Sequence, residues 1–450
     1  MAINPKTFIK PGERKYLRGR NKVRGSLVLP SGAKIIGEDG ASVYNVLKSS
    51  PYVKVSKASD VVIQNIDFVI SLDSKSTTNR SIIYIEDANN VYIEGCNFYI
   101  MFYGENYSGA TPEIGIEIYN SHNVVIENCN FQNLYHAVYS RNISGRNYGL
   151  TIRNCRVENN DINLKSHNLI YLYNTDDIVI ENVKVSGAGL YYLNNTQYPG
   201  FLGTWGNGIY LFNADRVRVK DVVSVNNFWS GIVIGQNSKN VLCESSFFSY
   251  NTSTQNPPTT TASWVEMPGC EKVIFKGNIL FGGLSLGGTD NIGSNAANLI
   301  IVSDNLIQSP SYGIDVDMGL KQGIITNNII LCTQSDYGVE KKGIYLWDKS
   351  PNQFDRIGLI VSNNIVKGFS VGIYINRPGA VGTVEGLTIT GNRVIDCATD
   401  QQTGTEYALA VGGTIQFSQT NRVVIGNNSF NKYWKFFGLQ DTRNEEVPIS

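Results

Sequence analysis

The chain has 450 residues, of which 42% are hydrophobic and only 17% are charged. Basic and acidic residues each number 38, so the formal net charge is zero, which argues against a general nucleic-acid binder and against a disordered chain. No apolar run approaches the ~18 residues of a membrane-spanning helix. The first twenty residues, MAINPKTFIKPGERKYLRGR, lack the apolar stretch of a signal peptide. We therefore expect neither nucleic acid nor a membrane as a partner.

The chain begins with a strongly basic segment. Residues 6–24 contain one acidic residue, Glu13, and eight basic ones: Lys6, Lys10, Arg14, Lys15, Arg18, Arg20, Lys22 and Arg24. A solvated cap or an attachment segment for a partner explains this run better than a nucleic-acid arm does. We therefore treat residues 1–24 as a basic N-terminal cap or attachment segment.

A short strand pattern then recurs at intervals of about 30 residues. In each copy an apolar-x-apolar segment is followed by a polar residue, by Asn or Gly, and by a small or apolar residue. Examples are VVIQNIDF (61–68), VVIENCNF (124–131), IVIENVKV (178–185), VIFKGNIL (273–280) and LIVSNNIV (359–366). The alternation has period 2 and favours β-branched residues, so these anchor segments are predicted strands of one solenoid.

A second predicted strand precedes most anchors, for example IEIYN (116–120), IYLYN (170–174), IYLFN (209–213) and IYLWD (344–348). Glycine opens several of these strands, as at Gly208, Gly313 and Gly343, which suits a tight corner where φ is positive. After the last repeat, residues 436–450 are predicted to form a polar C-terminal tail.

This repeat, with asparagine recurring after the anchor strand, resembles the right-handed parallel β-helix of the pectate-lyase-like superfamily. The resemblance covers residues 25–435 and implies an all-β fold, a single-stranded right-handed parallel β-helix of about 13–15 coils. It also implies asparagine ladders at one turn. The candidates are Asn128, Asn154, Asn182, Asn278, Asn305, Asn328, Asn364, Asn392 and Asn428.

Seven cysteines are present, and their spacing matches neither a zinc site nor a disulfide framework. We expect buried reduced thiols, with Cys96, Cys129 and Cys155 stacked in one internal column. With only three histidines as well, no metal and no cofactor are predicted.

The strands that precede the anchors carry many aromatic residues at outward positions. Aromatic faces stack on sugar rings, so the candidate substrate-binding residues are Tyr210, Phe212, Tyr345, Trp347, Tyr374 and Asn376. Aromatic residues are also enriched in subunit interfaces, so a homotrimer that packs three such chains side by side is the competing explanation, and the two can coexist.

Three carboxylates fall on the same predicted face: Glu266, Asp315 and Asp317 are the candidate catalytic residues. Asp315 and Asp317 are two residues apart on one strand, so their Cα atoms lie roughly 7 Å apart, and Glu266 is assigned to the row of Asp315, two coils away. Such a group could supply the acid and the base of a glycosidase, although an ordinary acidic surface has the same pattern.

The chain resembles phage tailspike proteins, because it combines a predicted β-helix with aromatic rows and a basic N-terminal segment and has none of the known motifs of plant-cell-wall enzymes. That resemblance implies a trimeric, virion-associated protein that binds a bacterial surface polysaccharide and depolymerises it by glycosidic-bond hydrolysis, with attachment to the virion through the N-terminus. The alternatives are a non-enzymatic β-helix adhesin or structural appendage, and a bacterial polysaccharide lyase or epimerase. An extracellular or cell-surface location is the alternative to the virion.

Overall fold

A computed structural model gives the architecture of the chain. It describes residues 2–3, 8–45, 51–72, 80–103, 112–191, 206–250, 261–266, 269–287, 297–316, 320–333, 341–347, 356–377, 384–385, 387–397, 407–413 and 424–430. The chain divides into two compact units, Met1–Ile232 and Val233–Ser450. Every element with described bounds is a β-strand. Over these residues no helix is long and apolar enough to cross a membrane.

In each unit, successive turns of the chain place strands in three parallel stacks, which is the right-handed parallel β-helix that the repeat predicts. Sheet 1 holds the strands before the anchors, sheet 2 holds the anchors, and sheet 3 holds the strands after them. The parallel order follows from the connectivity, because each coil returns to the same side before the next begins.

The first unit opens with Ala2–Ile3, Arg14–Val23 and Lys34–Asn45, of which Arg14–Val23 pairs in parallel with Lys34–Asn45. Its sheet 1 comprises Leu27–Leu29, Val53–Ser56, Ser81–Glu86, Ile114–Tyr119, His136–Arg141, Ile170–Tyr173 and Ile209–Phe212. Its sheet 2 comprises Ser59–Gln64, Asn89–Glu94, His122–Glu127, Asn147–Arg153, Thr175–Glu181 and Asp215–Lys220. Its sheet 3 comprises Asp67–Leu72, Asn97–Tyr103, Asn130–Gln132, Arg156–Glu158, Lys184–Ser186 and Val223–Val225.

The second unit repeats this order, and the strand Ile232–Ile234 contains the boundary between the units. Its sheet 1 comprises Thr261–Glu266, Gly283–Gly287, Tyr312–Val316, Lys342–Trp347, Val371–Arg377 and Tyr407–Gly413. Its sheet 2 comprises Lys239–Glu244, Glu271–Lys276, Ala297–Ser303, Leu320–Thr326, Leu359–Ser362, Thr388–Thr390 and Val424–Gly426. Its sheet 3 comprises Phe247–Ser249, Ile279–Phe281, Leu306–Ser309, Ile329–Cys332, Ile365–Lys367, Arg393–Ile395 and Ser429–Phe430. Arg356–Ile357 and Val384–Glu385 form a separate pair.

The anchor strands stack in the register that the repeat predicts. In the first unit the inward row of sheet 2 is Ile63, Ile93, Ile126, Ile152, Ile180 and Val219. In the second unit it is Cys243, Phe275, Val302, Ile325, Val361, Ile389 and Ile425. Stacking identical positions lets side chains pack on their own kind, as in the sheet 3 rings of Phe68, Phe98 and Phe131, whose centroids are 5.0 and 4.6 Å apart.

The cysteines follow the same rule. Cys96, Cys129 and Cys155 are all buried at equivalent positions of consecutive coils, as predicted. All seven cysteines are free thiols, and only Cys332 is half-buried. Burial raises the pKa of the Cys243 thiol, which keeps this internal sulfur protonated.

A buried asparagine ladder runs along the turn between sheets 2 and 3 of the second unit. The side-chain Oδ1 of Asn328 accepts hydrogen bonds from the backbone N and the Nδ2 of Asn305, at 3.1 and 2.9 Å. The same pair of bonds joins Asn278 to Asn305, Asn328 to Asn364, Asn364 to Asn392 and Asn392 to Asn428. This part of the predicted ladder is confirmed.

The three candidates of the first unit are exposed and do not continue this buried ladder, although Asn182 Nδ2 donates to Asn154 Oδ1 at 2.8 Å, which is one ladder bond on the outside of the corner. Asn128, Asn154 and Asn182 have φ values of 54°, 55° and 52° and occupy the left-handed corner one residue before the buried position. The buried position itself is taken there by Cys129, Cys155 and Val183. Asparagine suits both places, since it tolerates a left-handed backbone and can also bond neighbouring backbone groups, so residue type alone did not separate them.

The glycines that open strands of sheet 1 have a different cause from the one predicted. Gly313 and Gly343 have φ angles outside the left-handed region. A Cβ atom at Gly313 would lie 2.3 Å from Ile330 Cγ2, and one at Gly343 would lie 2.2 Å from Val366 Cγ1. Close packing against sheet 3, and not a positive φ, therefore requires glycine at these positions.

The described part of the predicted N-terminal segment, residues 2–3 and 8–24, contains the strands Ala2–Ile3 and Arg14–Val23. Residues 436–450, the predicted tail, lie outside the described residues. The boundaries 1–24, 25–435 and 436–450 remain predictions.

The ladder makes a direct prediction about stability. Replacing Asn328 by Leu removes the acceptor of two bonds from Asn305 and leaves buried N–H groups without partners, so unfolding should become easier by about 2–4 kcal/mol. The midpoint of urea unfolding, followed by circular dichroism, measures the loss. The exposed Asn298 of the same unit supplies the control, because Asn298→Ala should change stability by less than about 0.5 kcal/mol. Equal midpoints for both variants would show that the ladder does not stabilise the stack.

Candidate functional site

The outward face of sheet 1 in the first unit carries a row of aromatic and charged side chains. Inward positions such as Ile116 and Ile118 are buried in the core, so period-2 alternation sends Glu117 and Tyr119 to the opposite face. The backbone register joins six outward residues into one row: Lys54, Tyr84, Glu117, Tyr139, Tyr171 and Tyr210.

Contacting rings make up the later part of this row. Tyr139 stacks on Tyr171 with ring centroids 5.4 Å apart, whereas Tyr171 meets Tyr210 edge to face at 5.2 Å. Two residues further along the strands, Tyr173 stacks on Phe212 at 5.1 Å. Of the two candidate sugar contacts in this unit, Phe212 is half-buried whereas Tyr210 is only 3% exposed, so Tyr210 lies beneath the accessible part of the row.

Sequence reasoning missed one strand of this sheet, His136–Arg141. Its sequence, HAVYSR, has neither the opening glycine nor the isoleucine alternation of the other coils, so only the spacing between anchors at 126 and 152 could have revealed it. The strand brings Tyr139 into the row and places Arg141 beside Tyr119 in the register.

Arg141 changes the interpretation of Glu117, which the sequence analysis did not select. Arg141 Nη2 lies 2.9 Å from Glu117 Oε1, and the Ser81 hydroxyl donates to Glu117 Oε2. Glu117 is 7% exposed. A buried carboxylate with both oxygens engaged is held in a fixed position by its two partners.

A second ion pair lies at the start of the same strands. Arg80 Nε and Nη2 donate to Glu113 Oε1 at 3.0 and 2.8 Å, and the Arg80 guanidinium lies over the ring of Tyr52. Burial, and after it the negative charges of Glu86 and Glu117, raises the pKa of the Tyr84 phenol to about 12. Tyr84 is therefore a neutral phenol that can donate a hydrogen bond at physiological pH.

Two histidines lie at the start of consecutive strands of this sheet and against the tyrosine row: His136 is the first residue of its strand, and His167 precedes Ile170–Tyr173. His136 stacks on Tyr139 at 4.8 Å and donates from Nδ1 to the Asn168 carbonyl at 2.5 Å. The ring of His167 lies 5.1 Å from that of His136. Burial lowers the pKa of His136 to about 4 and that of His167 to about 2, so both imidazoles are neutral at pH 7. The recurrence of His near the start of both strands was the available signal in the sequence, and it was not used in the prediction.

In the second unit the corresponding row differs from the predicted one. The register joins Trp264, Ser285, Asp315, Tyr345, Tyr374 and Ala410. Glu266 pairs with Gly287, in the row two residues further along, so its predicted alignment with Asp315 is wrong. Trp264 and Glu266 are two residues apart and therefore belong to the same, outward face of the strand. The alternation of a strand identifies the face of a residue, but it does not decide which of two rows on that face the residue joins.

The remaining candidates of this unit are only partly described. Trp347 pairs with Asn376 in the backbone register of sheet 1, as predicted for the second row. The side chains of Glu266, Trp347 and Asn376 lie outside the described residues, as does all of Asp317. The structure therefore places Asp315, Tyr345 and Tyr374 together in one row, and the catalytic and substrate-binding roles of all these residues stay predictions.

A lysine that sequence reasoning missed lies against these tyrosines. The Nζ atom of Lys342 is 4.0 Å from the ring centroid of Tyr345 and 4.6 Å from that of Tyr374. The two rings are nearly parallel, with an interplanar angle of 6° and centroids 5.4 Å apart. Both Lys342 and Tyr345 are 6% exposed. A cation held on ring faces fixes the geometry of the tyrosines and adds a positive charge to the row of Asp315.

The two rows offer rigid ring edges, phenolic donors and fixed carboxylates on a sheet face, which is chemistry suited to a ligand rich in hydroxyl groups. Over the described residues, no group of three or more His, Cys, Asp or Glu side chains could hold a metal ion.

Comparisons with known proteins agree with the architecture. A family model described as "Right handed beta helix region" matches residues 31–199 and 81–280, and a second, "Periplasmic copper-binding protein (NosD)", matches residues 248–438. No curated protein sequence matches the chain.

Among solved structures, a DFA-IIIase from Arthrobacter chlorophenolicus A6 is 13% identical with a TM-score of 0.45, covering 71% of this chain and 84% of its own. The surface protein and adhesin PfbA of Streptococcus pneumoniae is 15% identical with a TM-score of 0.46, covering 89% and 91%. Tailspike protein 2 of the Escherichia coli O157:H7 bacteriophage CAB120 is 15% identical with a TM-score of 0.43, covering 65% and 39%.

The first family model spans residues 31–280, more than half of the 450, and its name describes the stacked parallel strands of both units. This chain therefore belongs to the right-handed β-helix family.

Proposed function

We propose that the chain binds a bacterial surface polysaccharide along the outward rows of sheet 1 and hydrolyses its glycosidic bonds. The observation that carries this proposal is the in-register row of Asp315, Tyr345 and Tyr374, in which the buried ring of Tyr345 lies between a carboxylate and the parallel, more accessible ring of Tyr374. A repeating ligand matches a repeating surface, because successive strands present equivalent contacts roughly 4.8 Å apart.

Hydrolysis requires two carboxyl groups, one as proton donor and one as base or nucleophile. Asp315 is the member of the predicted trio with described surroundings, and Asp317 follows two residues later on the chain. Glu266 belongs to the second strand from that of Asp315 in sheet 1 and to the neighbouring row. This places the Cα atoms of Glu266 and Asp315 roughly 12 Å apart, which favours the wider carboxyl spacing of inverting glycosidases.

The chain acts in this proposal as a tailspike-like component of a phage virion, attached through its basic N-terminal segment. The support for this part is the resemblance carried by the sequence, namely a β-helix with an aromatic face and the basic run of residues 6–24. Outside a virion, the same surface would serve an extracellular or cell-surface protein.

A non-enzymatic adhesin is the second candidate, and the first unit favours it. Glu117 in this row is paired with Arg141, and Glu113 just before the same strand is paired with Arg80, so both carboxylates are already engaged by arginines. The aromatic row would then bind glycan without cleaving it.

Catalysis can be tested with the carboxylates. Asp315→Asn and Glu266→Gln keep the shape of each side chain but remove its ability to exchange a proton, so turnover should fall by roughly 10²–10⁴-fold. Reducing ends released from purified bacterial capsular polysaccharide or lipopolysaccharide O-chain measure turnover, and glycan binding is followed separately. If wild type binds the polysaccharide and never releases reducing ends, the adhesin candidate replaces the hydrolase. Full turnover in both variants would show that Asp315 and Glu266 are not the catalytic residues.

Binding can be tested with the rings. Tyr374→Ala removes a half-buried ring from the row, and if stacking on a sugar resembles stacking on a base, affinity should fall by about 1–3 kcal/mol. Titration calorimetry with an oligosaccharide of the same polysaccharide measures the change. Tyr16→Ala is the matched control, because Tyr16 is 49% exposed and lies on a strand outside sheet 1. An equal loss in both variants, or none in Tyr374→Ala, contradicts the proposed surface.

A further inference from the structure

The outward rows of sheet 1 in the first unit contain four charged side chains over the described strands. They are Lys54, Glu86, Glu117 and Arg141, which we call the charge quartet. The last two strands of the sheet in this unit, Ile170–Tyr173 and Ile209–Phe212, add only aromatic side chains to these rows. The charges of this surface are therefore concentrated at one end of it.

The signs of the quartet alternate between coils. In each row a tyrosine separates one positive from one negative residue, and the order is reversed between the rows: Lys54, Tyr84 and Glu117 in the first, and Glu86, Tyr119 and Arg141 in the second. Each charge therefore has an opposite charge diagonally across from it on a neighbouring coil. Lys54 Nζ lies 3.2 Å from Glu86 Oε2, and Arg141 Nη2 lies 2.9 Å from Glu117 Oε1.

This arrangement cancels the electric field of the quartet at a distance. The four charges sum to zero. The ion pair of Lys54 with Glu86 has its positive end in the first row, whereas the pair of Arg141 with Glu117 has its positive end in the second. The two dipoles therefore oppose each other, and an acidic polymer that approaches the rows meets no positive potential to attract it.

The cations are also engaged at short range. The guanidinium of Arg141 lies over the ring of Tyr139 and beside Glu117, whose other oxygen accepts from the Ser81 hydroxyl. A carboxylate or phosphate of a ligand would have to compete with Glu117 for Arg141, and success would leave a buried acid without its cation. The same ligand group would also lie close to the negative charge of Glu86, which is unfavourable.

Uncharged hydroxyl groups meet no such obstacle. Five tyrosines of the two rows are partly exposed: Tyr84, Tyr119, Tyr139, Tyr171 and Tyr173. A phenol both donates and accepts a hydrogen bond, as a sugar hydroxyl does, so the two can bind without disturbing either ion pair. Glu86 already accepts from the hydroxyls of Ser56 and Tyr84, at 3.1 and 3.4 Å, which shows that a hydroxyl can join the pair of Glu86 with Lys54.

We propose that sheet 1 of the first unit binds uncharged sugar residues and that the charge quartet discriminates against acidic ones, an inference that rests on the proposed glycan binding and specifies the class of sugar. The acidic sugars excluded in this way are those that carry a carboxylate or a phosphate in each repeating unit. Paired charges keep the surface polar enough for hydroxyl groups and leave no cation available to an anion.

An array of purified bacterial capsular and O-chain polysaccharides, probed with the intact labelled chain, tests the class of sugar. Binding should favour repeating units without uronic acid, sialic acid or phosphate. It should be equal in about 0.1 M and about 1 M NaCl, because added salt weakens only contacts between exposed charges. Stronger binding to acidic than to uncharged repeats overturns the inference and leaves glycan binding itself intact. An array on which no polysaccharide is bound contradicts the proposed function.

The role of the quartet is tested by releasing one of its cations. Glu117→Gln leaves Arg141 without its carboxylate, so affinity for acidic repeats should rise roughly tenfold, the equivalent of one hydrogen bond to a charged group. Glu86→Gln releases Lys54 at a more exposed position and repeats the test if Glu117→Gln does not fold, which circular dichroism checks.

Glu127→Gln is the matched control. Glu127 is paired with Arg153 at 2.8 Å on sheet 2, so this variant makes the same change in net charge away from the rows and should bind as wild type does. A gain for acidic repeats in Glu127→Gln equal to that in Glu117→Gln would overturn the role of the quartet. So would the lack of a gain in a folded Glu117→Gln and a folded Glu86→Gln.

Discussion

In-register stacking of coils is the constraint on which the rest of this structure depends. Each strand forms backbone hydrogen bonds with the equivalent strand one coil away, so every residue lies over its counterpart. Any side chain that can pack on its own kind, such as Ile126 on Ile152 or Asn305 on Asn328, gains from this arrangement. A surface in such a fold is therefore a set of rows, and the identity of each row decides what that surface can contact.

The rows separate different tasks onto different sheets. Inward rows are apolar in both units, because they form the core. Outward rows are free to vary: aromatic with carboxylates on sheet 1, charged and paired on sheets 2 and 3 of the first unit, and apolar on the same sheets of the second. In our account, the outward rows of sheet 1 bind the glycan. Because inward and outward rows are distinct, a substitution in an outward row should change binding and leave the core packing unchanged.

Much of the fold could be predicted from the sequence because the core has a strict period. Within each unit the anchor positions, from Ile63 to Val219 and from Cys243 to Ile425, pair as the repeat predicts, since a slip of one residue would turn the buried apolar side chains outward. A shift of two residues along the outer face exposes no buried side chain, so it does not have this energetic cost. Moving Glu266 by two residues keeps it on the same face, so the pattern could not distinguish its true row from the row of Asp315.

The candidate site was less predictable for the same physical reason. The strand His136–Arg141 lacks the common alternation and was not predicted. The ion pair between Arg141 and Glu117 could therefore not be predicted either. Lys342 gave no local signal either, because its contact with Tyr345 and Tyr374 joins two coils and depends on the stacking register. To predict a contact between coils, the pairing register on both sides of every loop must be known. Loop length varies from coil to coil, so the sequence does not provide this register.

A crystal structure of the chain with an oligosaccharide fragment of the bacterial polysaccharide would test the central claim, that the outward rows of sheet 1 form the glycan-binding surface. The account predicts sugar rings along sheet 1 against the row of Asp315, Tyr345 and Tyr374. Sugar bound across the rows of Ile329 or Ile360, with sheet 1 unoccupied, would contradict it.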